Sequence, residues 1–353
     1  MLKRWRQTVT WTDIVVWAIG VAIGIAIIYG TIQTWRAGQY TPEQWINLTI
    51  DGLKLGSIYA LIALGYTLVY GILRMINFAH SEVFMSGPFT AVFLAMYLDN
   101  IGFYNAHPII SLILITLLST AVSVTIALLL EKIAYRRLRY APRLVPLITA
   151  IGASFFLQYT FRGFYGNDIE TYPNFDILKG TWPIGSIAIP KTDLVVIISG
   201  FMLMLLLYGI VQLTKTGKAM RSVSEDKEVA ALMGIDVDRI IQFTFALGGA
   251  SAGIAGILYS LIYQNVHFYM GFIPGLKAFT AAVLGGIGNV VGAWLGGTLL
   301  GLIESLGPNL FLQGLGIPAA NQLKDLIAFA ILVFILIFRP SGILGERISK
   351  TKA

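Results

Sequence analysis

Cysteine is absent from the 353 residues, which removes disulfides, thiolate metal sites and thiol chemistry together. Histidine is scarce: His80, His107 and His267 are the only three, and no two stand at helical spacing. No metal centre is therefore expected, and no sequence feature calls for a cofactor. Charge is scarce too, at 12% of residues against 56% hydrophobic, where a soluble domain carries about 25% charged. That balance excludes an ordinary soluble enzyme and implies a polytopic membrane protein. No GxxxxGK[ST] phosphate loop occurs, nor a GxSxG elbow, nor an HExxH pair, so no site for nucleotide hydrolysis or peptide chemistry is expected within the chain. A cleavable signal peptide is not expected either, because Ile14 to Ile32 is too long for a signal core and lacks a small-residue cleavage site.

Long apolar runs are what the chain has instead. A hydrocarbon core about 30 Å thick needs roughly 20 apolar residues per helix. Runs at about 14–32, 46–72, 82–98, 109–130, 144–162, 193–213, 241–262 and 323–338 meet that need. The expected fold is all-α and polytopic, with about eight transmembrane helices. With the amino terminus in the cytoplasm, the inside segments 1–13, 73–81, 131–143, 214–240 and 339–353 hold 18 of the 25 Lys and Arg residues, and the outside segments hold 4. An excess of basic residues marks cytoplasmic loops, so both termini are expected inside. The net charge of +7 has its explanation there, and nucleic acid is not an expected partner.

The orientation leaves 276–304 entering and leaving on one side. Two full crossings need about forty residues, more than this stretch has. A half-membrane hairpin turning at Gly285, Gly286, Ile287, Gly288 and Asn289 fits, as does a single long span or a tilted pair of short ones in which the glycines serve packing. Non-helical backbone at such depth must be buried in protein or line an aqueous cavity. Gly249, Gly253 and Gly256, and Gly292, Gly296, Gly297 and Gly301, stand at spacings that let helix backbones approach closely. The 30 residues from Gly163 to Thr192 form the largest expected external loop.

The most charged stretch is Thr214 to Arg239, with ten charged residues between two apolar runs. Lys218 to Met233 reads as about four helical turns with Ala219, Met220, Val223, Val229, Ala230, Leu232 and Met233 as apolar contacts and Gly234 as the stop. A simple connection needs only a handful of residues, so this element reads as one gripped by a partner outside the membrane. In Arg74–Gly87, RMINFAHSEVFMSG, the polar residues Asn77, His80 and Glu82 lie at the junction of two spans. They read either as lining a path or as a solvated turn in which Asn77 caps and Glu82 favours a helix start. Asp51 and Lys54 are expected to pair locally. Lys277 and Glu304 read as boundary residues, and Lys324 and Asp325 as interface charges.

Three runs resemble the LivH-type permeases: GLKLGSIYALIALGYTLVYGILRMINFAHSEVFM (Gly52–Met85), GKAMRSVSEDKEVAALMGIDVDRI (Gly217–Ile240) and AAVLGGIGNVVGAWLGG (Ala281–Gly297). Order and spacing agree from about Asn47 to Leu344. The resemblance implies a permease subunit of a bacterial ABC importer for branched-chain or other neutral amino acids, in the inner membrane. It implies a second homologous permease, two cytoplasmic ATPase subunits and an extracytoplasmic substrate-binding protein as partners, besides membrane lipid. It also implies that a cytoplasmic helix seats in the ATPase, and that role falls on Gly217, Arg221, Glu225, Glu228, Ala231 and Gly234. Candidate path residues are Asn77, His80, Glu82, Gly285, Gly286, Gly288 and Asn289. The permease domain is expected over 46–353 with its coupling segment at 214–240, and residues 1–45 form an additional span and external loop. Where the family commonly reads Asn-Phe-Ala-His-Gly-Glu, this chain has Ser81 before Glu82, and Gly87, Pro88 and Phe89 replace a more usual Gly-Ala-Tyr.

Close alternatives are a urea or short-chain amide importer. A passive small-solute channel would suit the glycine-rich region but not the charged cytoplasmic element, and ATP dependence separates the two. An ion-coupled carrier would favour acids deep in the spans, and the acids here stand near the ends. No Arg or Asp is expected deep enough to clamp an amino acid, so selectivity would rest largely with the binding protein.

Overall fold

Helices dominate the computed structural model, which describes residues 11–139, 141–142, 144–184, 187–339 and 341–345. Most of the expected amino-terminal inside segment and the tail beyond Gly345 lie outside the described residues. Among those described, nine helices are long and apolar enough to cross a membrane. They include α1 (Trp11–Ala37), α2 (Pro42–Leu73), α3 (His80–Asn100), α5 (Pro108–Leu130, after the short α4, Phe103–Ala106), α6 (Leu144–Tyr165) and α7 (Lys191–Leu213). Two short helices, α8 (Lys215–Glu225) and α9 (Lys227–Leu232), then precede α10 (Val237–Tyr263), α11 (Phe272–Gly285), α12 (Val290–Gly307) and α13 (Lys324–Phe338). The span added to the eight expected is α12, which continues through a π turn to Leu312.

The most buried span is α2, and the other helices close around it. It begins with a capping box in which the Thr41 hydroxyl and the Gln44 side chain satisfy each other's backbone N–H groups, so two of the donors that a helix start leaves unpaired are met. The glycine spacings act as packing surfaces. A Cβ on Gly56 would come within 2.8 Å of Thr298 Cα, one on Gly253 within 2.8 Å of Thr120 Cα, and one on Gly256 within 2.7 Å of the Pro88 ring. These contacts bring α12 against α2, and α10 against α5 and α3, at backbone distance. Hydroxyls seal two seams: Ser119 donates to Gly253 O and Ser123 to Val83 O, each at 2.8 Å. Gly24 on α1, by contrast, has open space around its Cβ position, in keeping with the exposed flank of that helix.

The ends of α2 and α7, the starts of α6 and α10, and α8 and α9 share one face, here called the basic face because Arg74, Arg136, Arg139, Lys218, Arg221 and Lys227 gather on it. At the opposite face the segment after α6 folds as short strands. Here β1 (Glu170–Thr171) pairs antiparallel with β4 (Asn265–Val266), and β2 (Thr181–Ile184) with β3 (Ile187–Pro190). Tyr104 stacks on Phe175 at 4.1 Å and donates to Pro173 O at 2.9 Å, which fixes this loop over the bundle. A cavity of about 260 Å³ lies beneath it, lined by Tyr172, Asn174, Phe175, Lys179 and Gln264 among others.

The glycine-rich region is a hairpin, but its limits and its turn differ from expectation. It runs from Phe272 to Leu312, since Lys277 and Glu304 do not end the helices. With 14 residues, α11 is about 21 Å long and falls short of a crossing, whereas α12 with its π turn is long enough. The turn at Gly286–Asn289 lies beside Gly71 near the end of α2 rather than halfway through the bundle. Gly286 (φ 106°) and Gly288 (φ 101°) hold conformations that only glycine adopts readily. Residues 341–345 strap across this turn: Ile343 N–H donates to Leu284 O (2.8 Å) and Leu344 N–H to Gly285 O (2.9 Å), capping carbonyls that a helix end leaves free.

Candidate functional site

The charged element on the basic face is two helices, not one. Asp226 is extended between them (φ −152°) and accepts from Glu228 N–H (2.9 Å) and Val229 N–H (3.0 Å), so the side chain that starts α9 also ends α8. The Thr214 hydroxyl caps α8 by accepting from Gly217 N–H at 3.0 Å. Gly217, Met220 and Val223 are buried, and Arg221 donates to Val211 O at the end of α7. Arg74, the left-handed cap of α2, donates to Ser224 O at 3.3 Å. Gly234 (φ 81°) closes α9, its N–H bonded to Ala231 O and that of Ile235 to Ala230 O. The predicted residues therefore divide. Gly217 and Arg221 brace α8 against this chain's own spans, while Glu225, Glu228, Ala231 and Gly234 are exposed.

Three of the expected apolar contacts are corrected by the same geometry. Val229, Leu232 and Met233 are 54%, 87% and 78% exposed. Only Ala230 of α9 is buried, so this helix turns an apolar edge outward. Lys227, at its start, is half-buried beside Arg139 and Arg74, and burial together with those two cations lowers its pKa.

The Asn77, His80 and Glu82 junction is not a solvated turn. After α2 the chain folds back, and the His80 ring packs against Gly65, about 12 Å of helix inside the end of α2. All three side chains are buried, at 3%, 2% and 0% exposure. Asn77 does not cap α3; its Oδ1 accepts from Tyr135 OH at 2.7 Å. The His80 ring meets Tyr66 edge-on at 5.0 Å, and its Nε2 has no partner. Glu82 Oε1 accepts from Gln158 Nε2 (2.8 Å) and Ser154 Oγ (3.0 Å), both on α6, with Ser81 Oγ at 3.2 Å, while its Oε2 has no partner. A polar pair at i and i+4 in an apolar span is the sequence signal for Ser154 and Gln158. Tyr135→Phe, which leaves Asn77 Oδ1 buried without a donor, is expected to lower stability by about 1–3 kcal/mol, read as a lower unfolding midpoint in detergent.

Gly285, Gly286, Gly288 and Asn289 lie apart from that cluster, in the hairpin turn. Asn289 caps α12 by accepting from Gly292 N–H at 3.0 Å and donates to Leu344 O at 3.1 Å. One small gap connects the regions, where Asn77 and Ile287 meet Tyr66, Tyr70 and Phe279.

A buried ion network replaces what read as boundary charges at Lys277 and Glu304. Lys277 Nζ lies 2.7 Å from Glu304 Oε1 and 2.6 Å from Asp325 Oδ1, with Tyr59 OH at 3.4 Å, joining α11, α12, α13 and α2. The expected Lys54–Asp51 pair is present at 2.7 Å, and Lys54 also reaches Asp193 on α7 at 3.0 Å. Among the described residues no three His, Asp or Glu side chains gather as metal ligands would.

Comparison with known proteins follows the same outline. Residues 48–336 match the family described as branched-chain amino acid transport system / permease component, so α1 stands outside the matched region. The chain is 38% identical over 314 residues to the high-affinity branched-chain amino acid transport system permease protein BraD of Pseudomonas aeruginosa, covering 86% of this chain and 98% of that one. It is 38% identical over 307 residues to the corresponding LivH of Escherichia coli K12, covering 86% and 96%. A shorter similarity, 32% over 155 residues and 39% of each chain, links it to the autoinducer 2 import system permease protein LsrC of Yersinia enterocolitica.

Proposed function

The chain belongs to the family of branched-chain amino acid transport permease components, and from that premise we propose that it is the membrane subunit of an ATP-driven importer carrying branched-chain or other neutral amino acids by alternating access. It pairs with a second permease, two cytoplasmic ATPases and an extracytoplasmic binding protein. The basic face is cytoplasmic, as the positive-inside bias favours, and both termini lie on that side of a bacterial plasma membrane.

The observation that carries this reading is the α8–α9 element. A chain with no phosphate-loop motif holds a short helix with an outward apolar edge, Val229, Leu232 and Met233, on an element braced to α7 and α2. Exposed apolar side chains rimmed by charge mark a protein contact. A rigid mount lets force on α9 reach α7 and α10 rather than dissipate in a loop. The relatives' names place such permeases in transport systems, and an ATPase seated on this edge supplies the energy the chain itself has no means of releasing.

Substitution of Glu228 by Lys, or of Gly234 by Val, is expected to leave membrane insertion intact while abolishing transport-coupled ATPase stimulation in reconstituted vesicles. Gly234 is at φ 81°, a conformation a β-branched residue resists, so G234V misdirects α9 without touching the spans. Normal transport by both variants refutes the coupling assignment. Uptake with competing leucine, urea and short amides then identifies the cargo.

A further inference from the structure

Four acidic side chains are buried among the described residues: Glu82, Glu131, Asp193 and Glu304. Three face a cation. Glu131 pairs with Arg139, Asp193 with Lys54 at 3.0 Å, and Glu304 with Lys277 at 2.7 Å. Glu82 faces only hydroxyls and an amide, all at Oε1, and Oε2 is left without a partner. An unpaired carboxylate is costly in a membrane interior, and such residues mark the passage of a charged group. Its surroundings suit one kind of cation. A single negative charge beside hydroxyls and an amide matches a monovalent group with several N–H donors. A divalent metal ion would call for six or more oxygen ligands.

We propose that Glu82 is the counter-charge for the α-ammonium of the transported amino acid, with Ser81, Ser154 and Gln158 completing the subsite. This rests on the importer reading above and deepens it by requiring a substrate that bears an ammonium group. Access comes from α6. That helix lies along α3 by one face, burying Ala150, Ser154, Leu157 and Gln158, and turns Ile148, Phe155 and Phe156 outward. Parting α6 from α3 opens the carboxylate to a passing zwitterion, and Ala150 and Leu157 offer apolar wall for its side chain.

Two variants of the complete transporter in vesicles separate charge from bracing. Glu82→Gln keeps an oxygen to accept from Ser154 and Gln158 but loses the charge. It is expected to lower the maximal rate of leucine uptake about tenfold or more, with half-saturation by loaded binding protein and the unfolding midpoint unchanged. The variant Glu82→Asp keeps the charge while loosening its contacts to Ser154 and Gln158, and is expected to retain about threefold or more the uptake rate left to E82Q. Leucine uptake by E82Q within about twofold of the parent, or equal losses in both variants, overturns the proposal. Because the chain has no cysteine, Ser154→Cys adds a test that does not depend on E82Q folding. The S154C thiol should react about fivefold faster or more with an ammonium-bearing reagent than with a neutral one of equal size, since local charge concentrates counter-ions. Equal rates overturn the proposal. A parent complex that imports amides but no amino acid refutes the amino-acid reading of the importer itself, whatever E82Q does.

Discussion

Lys277→Met is expected to lower the stability of the folded chain by about 3–5 kcal/mol, a large share of what a membrane bundle has. Among the described residues the ammonium is the only cation that Glu304 contacts, at 2.7 Å, and it also holds Asp325 at 2.6 Å. Removing it leaves Glu304 with Tyr59 OH at 3.2 Å and an Oε2 that already has no partner. A buried charge stripped of its counter-charge is far worse than a buried pair replaced whole. The double variant Lys277→Met/Glu304→Met should therefore recover most of the loss, because Asp325, half exposed, can be solvated alone. Glu304→Gln by itself should be milder than Lys277→Met, since Lys277 keeps Asp325. Unfolding midpoints of the four proteins in one detergent test this. A Lys277→Met midpoint equal to the parent's would mean that the network holds nothing together.

The same network explains where sequence reading stops. Window hydropathy treats each charge as the end of a span, so Lys277 and Glu304 cut 276–304 out of a hairpin that runs from Phe272 to Leu312. Their pairing bridges 27 positions of sequence, and no local pattern reports it. The fold-back at Asn77, His80 and Glu82 was hidden for a similar reason. It depends on the space Gly65 leaves for the His80 ring, a tertiary fit between separate helices. The acid that sequence placed near a helix end therefore lies deep, beside Ser154 and Gln158. The break at Asp226 was legible in principle, because an Asp preceding Lys-Glu-Val is a helix-start signal, but the continuous apolar spacing on either side masked it. Spans, the Asp51–Lys54 pair, the Gly234 stop and the glycine seams were readable because each follows from local spacing.

Those seams lead to the second large effect. Gly301→Leu is expected to prevent α2 and α12 from docking, with loss of folded protein, while Gly24→Leu is expected to be silent. At Gly301 a Cβ would enter the backbone of Gly56 and Gly52, and on the same seam from the α2 side a Cβ on Gly52 would come within 2.9 Å of Leu302 Cα. Backbone cannot move aside as a flexible side chain can, so the helices must separate. In a membrane, that closeness is itself the source of association, since lipid tails are as apolar as the side chains. Overpacking a well-filled core costs about 1–3 kcal/mol where the neighbours yield, and here they have nothing to yield with. The damage should spread, because α2 also carries Tyr59 against Glu304 and Gly65 against His80. Separating α2 from α12 thus opens the Lys277 network and disturbs the fold-back that buries Glu82. Purified yield and the unfolding midpoint of G301L, set beside G24L, test the claim. A G301L chain as stable as G24L would show that the close seam is not what joins these helices.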